Sequence, residues 1–269
     1  MHIRYSAFWL PKQGSREEEY EDAFSPPCLT EDSPAEFLCA VADGATETSF
    51  SGLWAQLLVD AYVGKGLRRL DATSVSQLAD QWHAAIAEKT RAKPLPWYAE
   101  EKLKSGAYSS LLGLQIRANG RWSAVSIGDS CLFYIRPRRW LYGFPYAQAE
   151  QFNNHPALLS THADDFGSVK ATLKRGTWAD GDLFLLMTDA LAHFFIAHPA
   201  FRKRLTDPKL DQAGFARLIE AVRAEKLCRN DDVTLVRICP SAGCSPWRRR
   251  HDGFPACRLH RPCGPARPR

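Results

Sequence analysis

The sequence predicts one α/β domain followed by a basic tail, and three observations carry that expectation. Apolar runs of strand length recur along the chain: FLCAVA, SSLLGLQI, WSAVSI, CLFYI, LFLLM and VTLVRI. Between them stand segments of helical spacing: SGLWAQLLVDAYV, SVSQLADQWHAAIAEKT and one carrying Phe215, Leu218, Ile219 and Val222. From Pro240 onward Pro, Arg, Cys and Gly dominate and no period survives, so residues 240–269 are expected to be a disordered tail and residues 1–239 the folded domain.

Residues 1 to about 36 read as an extended, loop-rich lead-in with the acidic clusters REEEYED and TEDSPAE. EFLCAVADG reads as a buried strand closed by an Asp-Gly turn. SGLWAQLLVDAYV is apolar around most of a helix and should be well buried. SVSQLADQWHAAIAEKT is more amphipathic and is broken by KPLPW at Lys93 to Trp97. SSLLGLQIRANGRWSAVSI is two strands joined at Asn119-Gly120, a pair that suits a two-residue hairpin turn with positive φ at both centres. CLFYIR follows Gly128-Asp129-Ser130 as a third strand. Residues 137–176, rich in aromatics, Pro and His, are expected to loop over one face. GDLFLLMTDAL is a core strand ending in Thr-Asp, Asp211 caps the helix of Phe215, and DDVTLVRI is the last strand.

The chain is long enough for a sizeable core, and 45% hydrophobic with 24% charged residues is an ordinary globular mixture. No apolar run approaches the ~20 residues of a membrane helix. MHIRYSAFWLPK lacks the apolar core of a secretory signal, so a cytoplasmic protein without a membrane partner is expected. Cys28, Cys39, Cys131, Cys228 and Cys239 are scattered, several of them in or beside apolar stretches, and read as buried hydrophobes rather than a disulfide framework. The net charge of +5 is misleading: residues 240–269 hold seven arginines and one aspartate, +6, which leaves −1 for the remaining 239 residues. Nucleic-acid binding could therefore rest only on the tail, through Arg248 to Arg250 and counterion release; a solvated tail is the plainer reading. Nothing points to an oligomer, and a monomer is expected.

The informative pattern is where aspartates fall. Asp43 follows FLCAVA, Asp129 sits between WSAVSI and CLFYI, Asp189 follows LFLLMT, and Asp231 precedes VTLVRI. Each stands at the end of an apolar strand. If the sheets pack together, such ends converge at one rim, where carboxylates repel one another unless a cation lies between them. Oxygen donors of this kind suit Mg2+ or Mn2+. Asp also ends strands because it suits turns, so any single position admits the plainer reading.

Taken in order, YEDAF, AVADGAT, GAYSSLLGL, VSIGDSCLFYIR, GDLFLLMTDAL and NDDVTLVRI resemble the type-2C, metal-dependent serine/threonine protein phosphatases of bacterial type. The resemblance spans residues 1–239 and implies a four-layer α-β-β-α sandwich of two antiparallel sheets flanked by helices. It implies that Asp43 bridges two Mn2+ or Mg2+ ions, with the Gly44 carbonyl on the second and Asp189 and Asp231 completing the first. Glu21 and Asp22 match an acidic pair acting mostly through metal-bound water, and Asp129 with Asp189 matches a third, weaker site. The substrate implied is a phosphorylated protein, attacked by a water activated between two cations.

The chain departs from that pattern in places. Glu17 stands where the family often has a phosphate-binding arginine; Arg16 is the substitute expected, with Arg4 as a second candidate. DGATET lacks the family's histidine, and His155, His162 and His193 read as loop or half-buried residues. Ala190 replaces the usual glycine after Asp189, Asp232 replaces the usual asparagine after Asp231, and Tyr108 in GAYSS is unusual. These departures motivate an alternative, a catalytically silent module that binds a phosphoprotein or regulatory partner; retention of Asp43, Asp189 and Asp231 argues against it. Another two-metal phosphoesterase would bring ligating histidines, and none accompanies the aspartates. Cys244, Cys257, His260 and Cys263 match no common zinc spacing and lack a small core.

Overall fold

The computed structural model describes residues 1–26, 35–45, 50–64, 71–92, 103–137, 139–152, 156–162, 165 and 169–242. The tail readings at Cys244 to Cys263 and Arg248 to Arg250 lie outside these residues, as do Cys28, His155, Thr46 to Thr48 of DGATET and Lys93 to Trp97.

Two five-stranded antiparallel sheets form the centre. One has the order β1-β12-β11-β7-β8, with β1 His2–Leu10, β7 Cys131–Arg136, β8 Arg139–Phe144, β11 Leu183–Met187 and β12 Val233–Ser241. The other has the order β10-β6-β5-β3-β2, with β2 Ala23–Ser25, β3 Glu36–Ala42, β5 Leu111–Arg117, β6 Arg121–Ile127 and β10 Thr172–Thr177. A small pair, β4 Tyr108–Ser109 with β9 Leu159–Ser160, stands apart. The helices are α1 Ser51–Gly64, α2 Ala72–Ala92, α3 Asp189–Ala197, the single turn α4 Arg202–Leu205 and α5 Gln212–Ala224.

Strand alternation builds three apolar layers from this order. Phe184, Leu186, Val236 and Ile238 point inward to meet Cys39, Val41, Leu112 and Leu114 of the second sheet. Their sequence neighbours Leu185, Met187, Val233 and Leu235 point outward to Phe194, Phe195, Phe215 and Ile219 of α3 and α5. Across the molecule, Ala40, Ala42 and Leu111 face Trp54, Leu58 and Trp82 of α1 and α2. Middle strands buried on both faces explain why LFLLM and FLCAVA are continuously apolar rather than alternating. The four-layer α-β-β-α architecture expected from the resemblance is the one observed.

Helix α5 behaves as its spacing predicts. Phe215, Leu218, Ile219 and Val222 are buried, each contributing about 1.5–3 kcal/mol, and Asp211 accepts from Gly214 N at 2.7 Å as N-cap.

Three expectations are corrected. The lead-in is not loop-rich throughout: His2–Leu10 is a nine-residue strand running the whole length of β12, with His2 opposite Ser241 and Leu10 opposite Val233. Its partner lies more than 220 residues away, so no local turn signal announces it. Residues 137–176 contain β8 and β10, one at an edge of each sheet. Edge strands carry polar residues such as TLKRGT, which hides them from an apolar-run reading. The hairpin at Asn119-Gly120 has a three-residue loop. Gly120 N donates to Arg117 O at 3.1 Å, and of the two central residues only Gly120 has positive φ, +78°. A type I turn followed by a left-handed glycine replaces the two-residue turn.

Candidate active site

Five aspartates stand where strands begin or end at one rim of the sandwich. Asp22 precedes β2 and Asp43 follows β3 in one sheet; Asp129 precedes β7, Asp189 follows β11 and Asp231 precedes β12 in the other. Antiparallel pairing alternates strand starts with strand ends along a sheet edge, so residues scattered over 210 positions reach one place.

The electrostatics show that they face one another. Asp43 is the hub. Burial, then the charges of Asp22, Asp189 and Asp129, raise its carboxyl well above the ordinary range, and it hydrogen-bonds to the Asp189 carboxyl. Asp22 is likewise raised well above the ordinary range, first by burial, against two hydroxyl donors that lower it. Burial and the Asp189 charge push Asp129, 6% exposed, up to about 7. Asp231 is raised by burial and by Asp189. A carboxylate cluster raised this way is under-neutralised: it takes up protons because the rim supplies too little positive charge.

Each carboxylate is held by its surroundings. Thr188 Oγ1 and Thr234 Oγ1 both donate to Asp22 Oδ2, at 2.9 and 2.7 Å, and the Tyr20 hydroxyl bonds Thr234 Oγ1 behind them. Asp43 N donates to Ser110 Oγ at 3.1 Å, and Ser110 Oγ meets Ser130 Oγ at 2.7 Å, tying the Asp43 turn to the Asp129 turn. Asp189 opens α3 and accepts from Ala190 N with its own Oδ1. Ala190 is a helical residue without positive φ, so the missing glycine costs nothing there. Buried Arg223 donates to Pro11 O at 2.8 Å and to Asp231 O, locking the Asp231 turn to α5.

Asp232, the charged replacement, has a structural task. Its carboxylate accepts from Lys12 N at 2.8 Å and Glu21 N at 2.6 Å and so fixes the backbone that presents Asp22. Glycine is required at Gly44: a Cβ there would lie 2.8 Å from Glu21 O and 2.8 Å from Ser51 C, both backbone atoms.

The other expected residues divide. Glu21 lines a cleft of about 1070 Å3 together with Asp22, accepting from Ser51 Oγ at 2.6 Å and pairing with Lys12 Nζ at 3.4 Å. Arg16 has a side chain 78% exposed, paired with Glu19 at 3.5 Å. Arg4 lies opposite Cys239, six residues along β1 from the rim end at Leu10. His162 follows β9, and half-buried His193 on α3 packs edge-on to Phe152 at 5.6 Å. Sequence reading missed Thr188, Thr234, Ser110 and Arg223, which support the acids, and Arg229, whose Nη1 lies 3.7 Å from Asp189 Oδ2. A signal existed for the threonines, since MTD places Thr188 beside Asp189 and DDVTL places Thr234 two residues after Asp232.

The donor set fits Mn2+ or Mg2+. It is all oxygen, and its raised carboxyls mark a shortage of positive charge. Among the described residues no three acidic, His or Cys side chains gather closely enough to hold a metal by themselves. Magnesium-type ions commonly bind through one or two carboxylates and several waters rather than in an all-protein cage, so an open arrangement suits them.

Comparison with known proteins bears on this rim. Residues 14–229 match the sequence model of the protein phosphatase 2C family. Among solved structures, the serine/threonine phosphatase PstP/Ppp of Mycobacterium tuberculosis is similar at 20% identity and a TM-score of 0.55, over 90% of this chain and 100% of that one. The PstP catalytic domain in complex with two manganese ions is similar at 20% identity and a TM-score of 0.54, over 88% and 98%. Staphylococcus aureus Stp1 matches at 12% identity and a TM-score of 0.59, over 90% and 96%. At such identities the structures speak to the fold. Comparison with curated protein sequences returns no match. The family match covers most of the chain and includes Glu21, Asp22, Asp43, Asp129 and Asp189, and by it the chain belongs to the protein phosphatase 2C family.

Proposed function

We propose that this protein hydrolyses phosphoserine and phosphothreonine in proteins, using two Mn2+ or Mg2+ ions and a third, weaker one. The observation that carries the reading is the convergence of Asp22, Asp43, Asp129, Asp189 and Asp231 on one rim with too little positive charge among them. Family membership and the manganese complex of PstP support it.

Asp43, the Gly44 carbonyl, Asp189 and Asp231 would hold the two ions, Asp22 and Glu21 would act through water, and Asp129 with Asp189 would hold the third. The ions, when bound, lower the proton affinity of a shared water and neutralise phosphoryl charge. The chain's own residues fix where this happens. Thr188 and Thr234 occupy one oxygen of Asp22 and so fix the orientation of its carboxylate. Ser110 and Ser130 hold the Asp43 and Asp129 turns in one relation. In the reaction a water oxygen bonds to phosphorus as the bond to the serine or threonine oxygen breaks, and a proton goes to the departing alcohol. No cysteine is needed: Cys131, beside the rim, is buried and its thiol is pushed far up by desolvation. No helix among the described residues is long and apolar enough to cross a membrane.

Phosphate release from phosphothreonine peptides, with Mn2+ and then with chelator, tests the proposal. Release that needs metal is expected. Folded protein that releases nothing from several phosphopeptides and shows little or no Mn2+ affinity would favour the silent binding module.

A further inference from the structure

The rim has a charge problem that the acids cannot solve. A phosphomonoester brings about two negative charges, and five aspartates already share the site. A guanidinium is the group best shaped to hold phosphoryl oxygens, because its planar fork donates two parallel N–H bonds.

Arg229 is placed for that task. Its Nη1 lies 3.7 Å from Asp189 Oδ2, a contact too long for a hydrogen bond. Among the described residues it makes no hydrogen bond, and its side chain is 45% exposed. The backbone around it is anchored on both sides. Cys228 is buried. Asn230 exchanges bonds with the Gln13 backbone at 2.7 and 3.2 Å, and Asp231 O is held by Arg223. Two basic groups of the segment before Asp22 already have carboxylate partners: Lys12 Nζ pairs with Glu21 at 3.4 Å and Arg16 with Glu19 at 3.5 Å.

We infer that Arg229 binds the phosphoryl oxygens of the substrate, which rests on the phosphoester-hydrolase reading above. The ion pair with Asp189 parks the guanidinium at the site while leaving its N–H fork open toward solvent. Rotation about the side chain then exchanges one weak contact for two bonds to phosphate. The arginine thus reaches the rim from just before the last strand, whereas Arg16 and Glu17 lie in the loop and 3-10 turn before Asp22.

Inorganic phosphate is the probe, titrated by calorimetry into the full chain in excess Mn2+, with Arg229→Ala and Arg229→Lys beside the parent. Phosphothreonine-peptide kinetics and Mn2+ affinity are measured in parallel, and thermal unfolding confirms that each variant is folded. Arg229→Ala should weaken phosphate binding by about 10- to 100-fold, the scale of charge-assisted bonds, and raise KM similarly, with Mn2+ affinity unchanged or higher. Arg229→Lys, a point charge without the fork, should recover only part. Phosphate binding unchanged in Arg229→Ala would overturn the inference, as would a loss explained by weaker Mn2+ binding. Parent protein that releases phosphate while Arg229→Ala matches it fails this inference alone. Arg229-dependent phosphate binding without turnover fails the hydrolase reading alone. A parent chain that neither binds phosphate nor turns over fails both.

Discussion

Asp129→Asn should make the metal-free protein more stable at alkaline pH. An ordinary aspartate titrates near 3.8, and Asp129 is pushed up to about 7 by burial and by Asp189. Between those values the folded chain keeps a proton that the unfolded chain has released. A carboxyl raised on folding contributes stability that is complete below 3.8 and is lost as pH climbs to 7. At roughly 1.4 kcal/mol per pH unit the loss is about 4 kcal/mol, and relaxation of the rim brings it to about 2–4 kcal/mol. Asparagine keeps the shape without the charge. In chelator at pH 8 the variant should therefore unfold about 4–16 °C higher than the parent, at about 2–4 °C per kcal/mol for a chain of this size. At pH 4.5 the gain should shrink to about a quarter of that. Adding Mn2+ should stabilise the parent more than the variant. Thermal scans by circular dichroism at the two pH values decide it. No gain at pH 8, or an equal gain at both pH values, would refute the claim that Asp129 sits in an under-neutralised acidic rim.

Two further substitutions test how the rim is held. Gly44→Ala drives a methyl against the Glu21 and Ser51 backbones at 2.8 Å; it should cost about 1–3 kcal/mol and weaken Mn2+ binding, and an unchanged Tm would mean that the turn yields. Thr234→Val strips Asp22 and Tyr20 of a shared hydroxyl; the urea midpoint should fall by the equivalent of about 1–3 kcal/mol, while Thr234→Ser should restore most of it.

Much of this was legible in the sequence because the middle strands are buried on both faces. LFLLM and FLCAVA announce themselves, and the aspartates that follow mark where those strands stop. Helix α5 was equally plain, since its cap and its four apolar positions agree. The edge strands β8 and β10 were hidden because half of an edge strand meets water. Strand β1 was hidden because its partner is the last strand of the chain. The site was legible in its acids but not in its supports. Nothing local shows that Thr188 and Thr234 meet over Asp22, or that Asp232 bonds the backbone at Lys12 and Glu21. Those contacts exist only once sequentially distant turns share a rim. Arg229 was missed for the same reason: an arginine before an Asn-Asp-Asp turn reads as solvated until Asp189 is placed beside it.

The most direct test of the central claim is phosphate release from a phosphothreonine peptide by the parent and by Asp189→Ala, both confirmed folded, over a series of Mn2+ concentrations. Asp189 touches both Asp43 and Arg229, so its loss should abolish turnover at every Mn2+ concentration at which the parent is active. Turnover by Asp189→Ala equal to the parent's would contradict the assignment of chemistry to this rim.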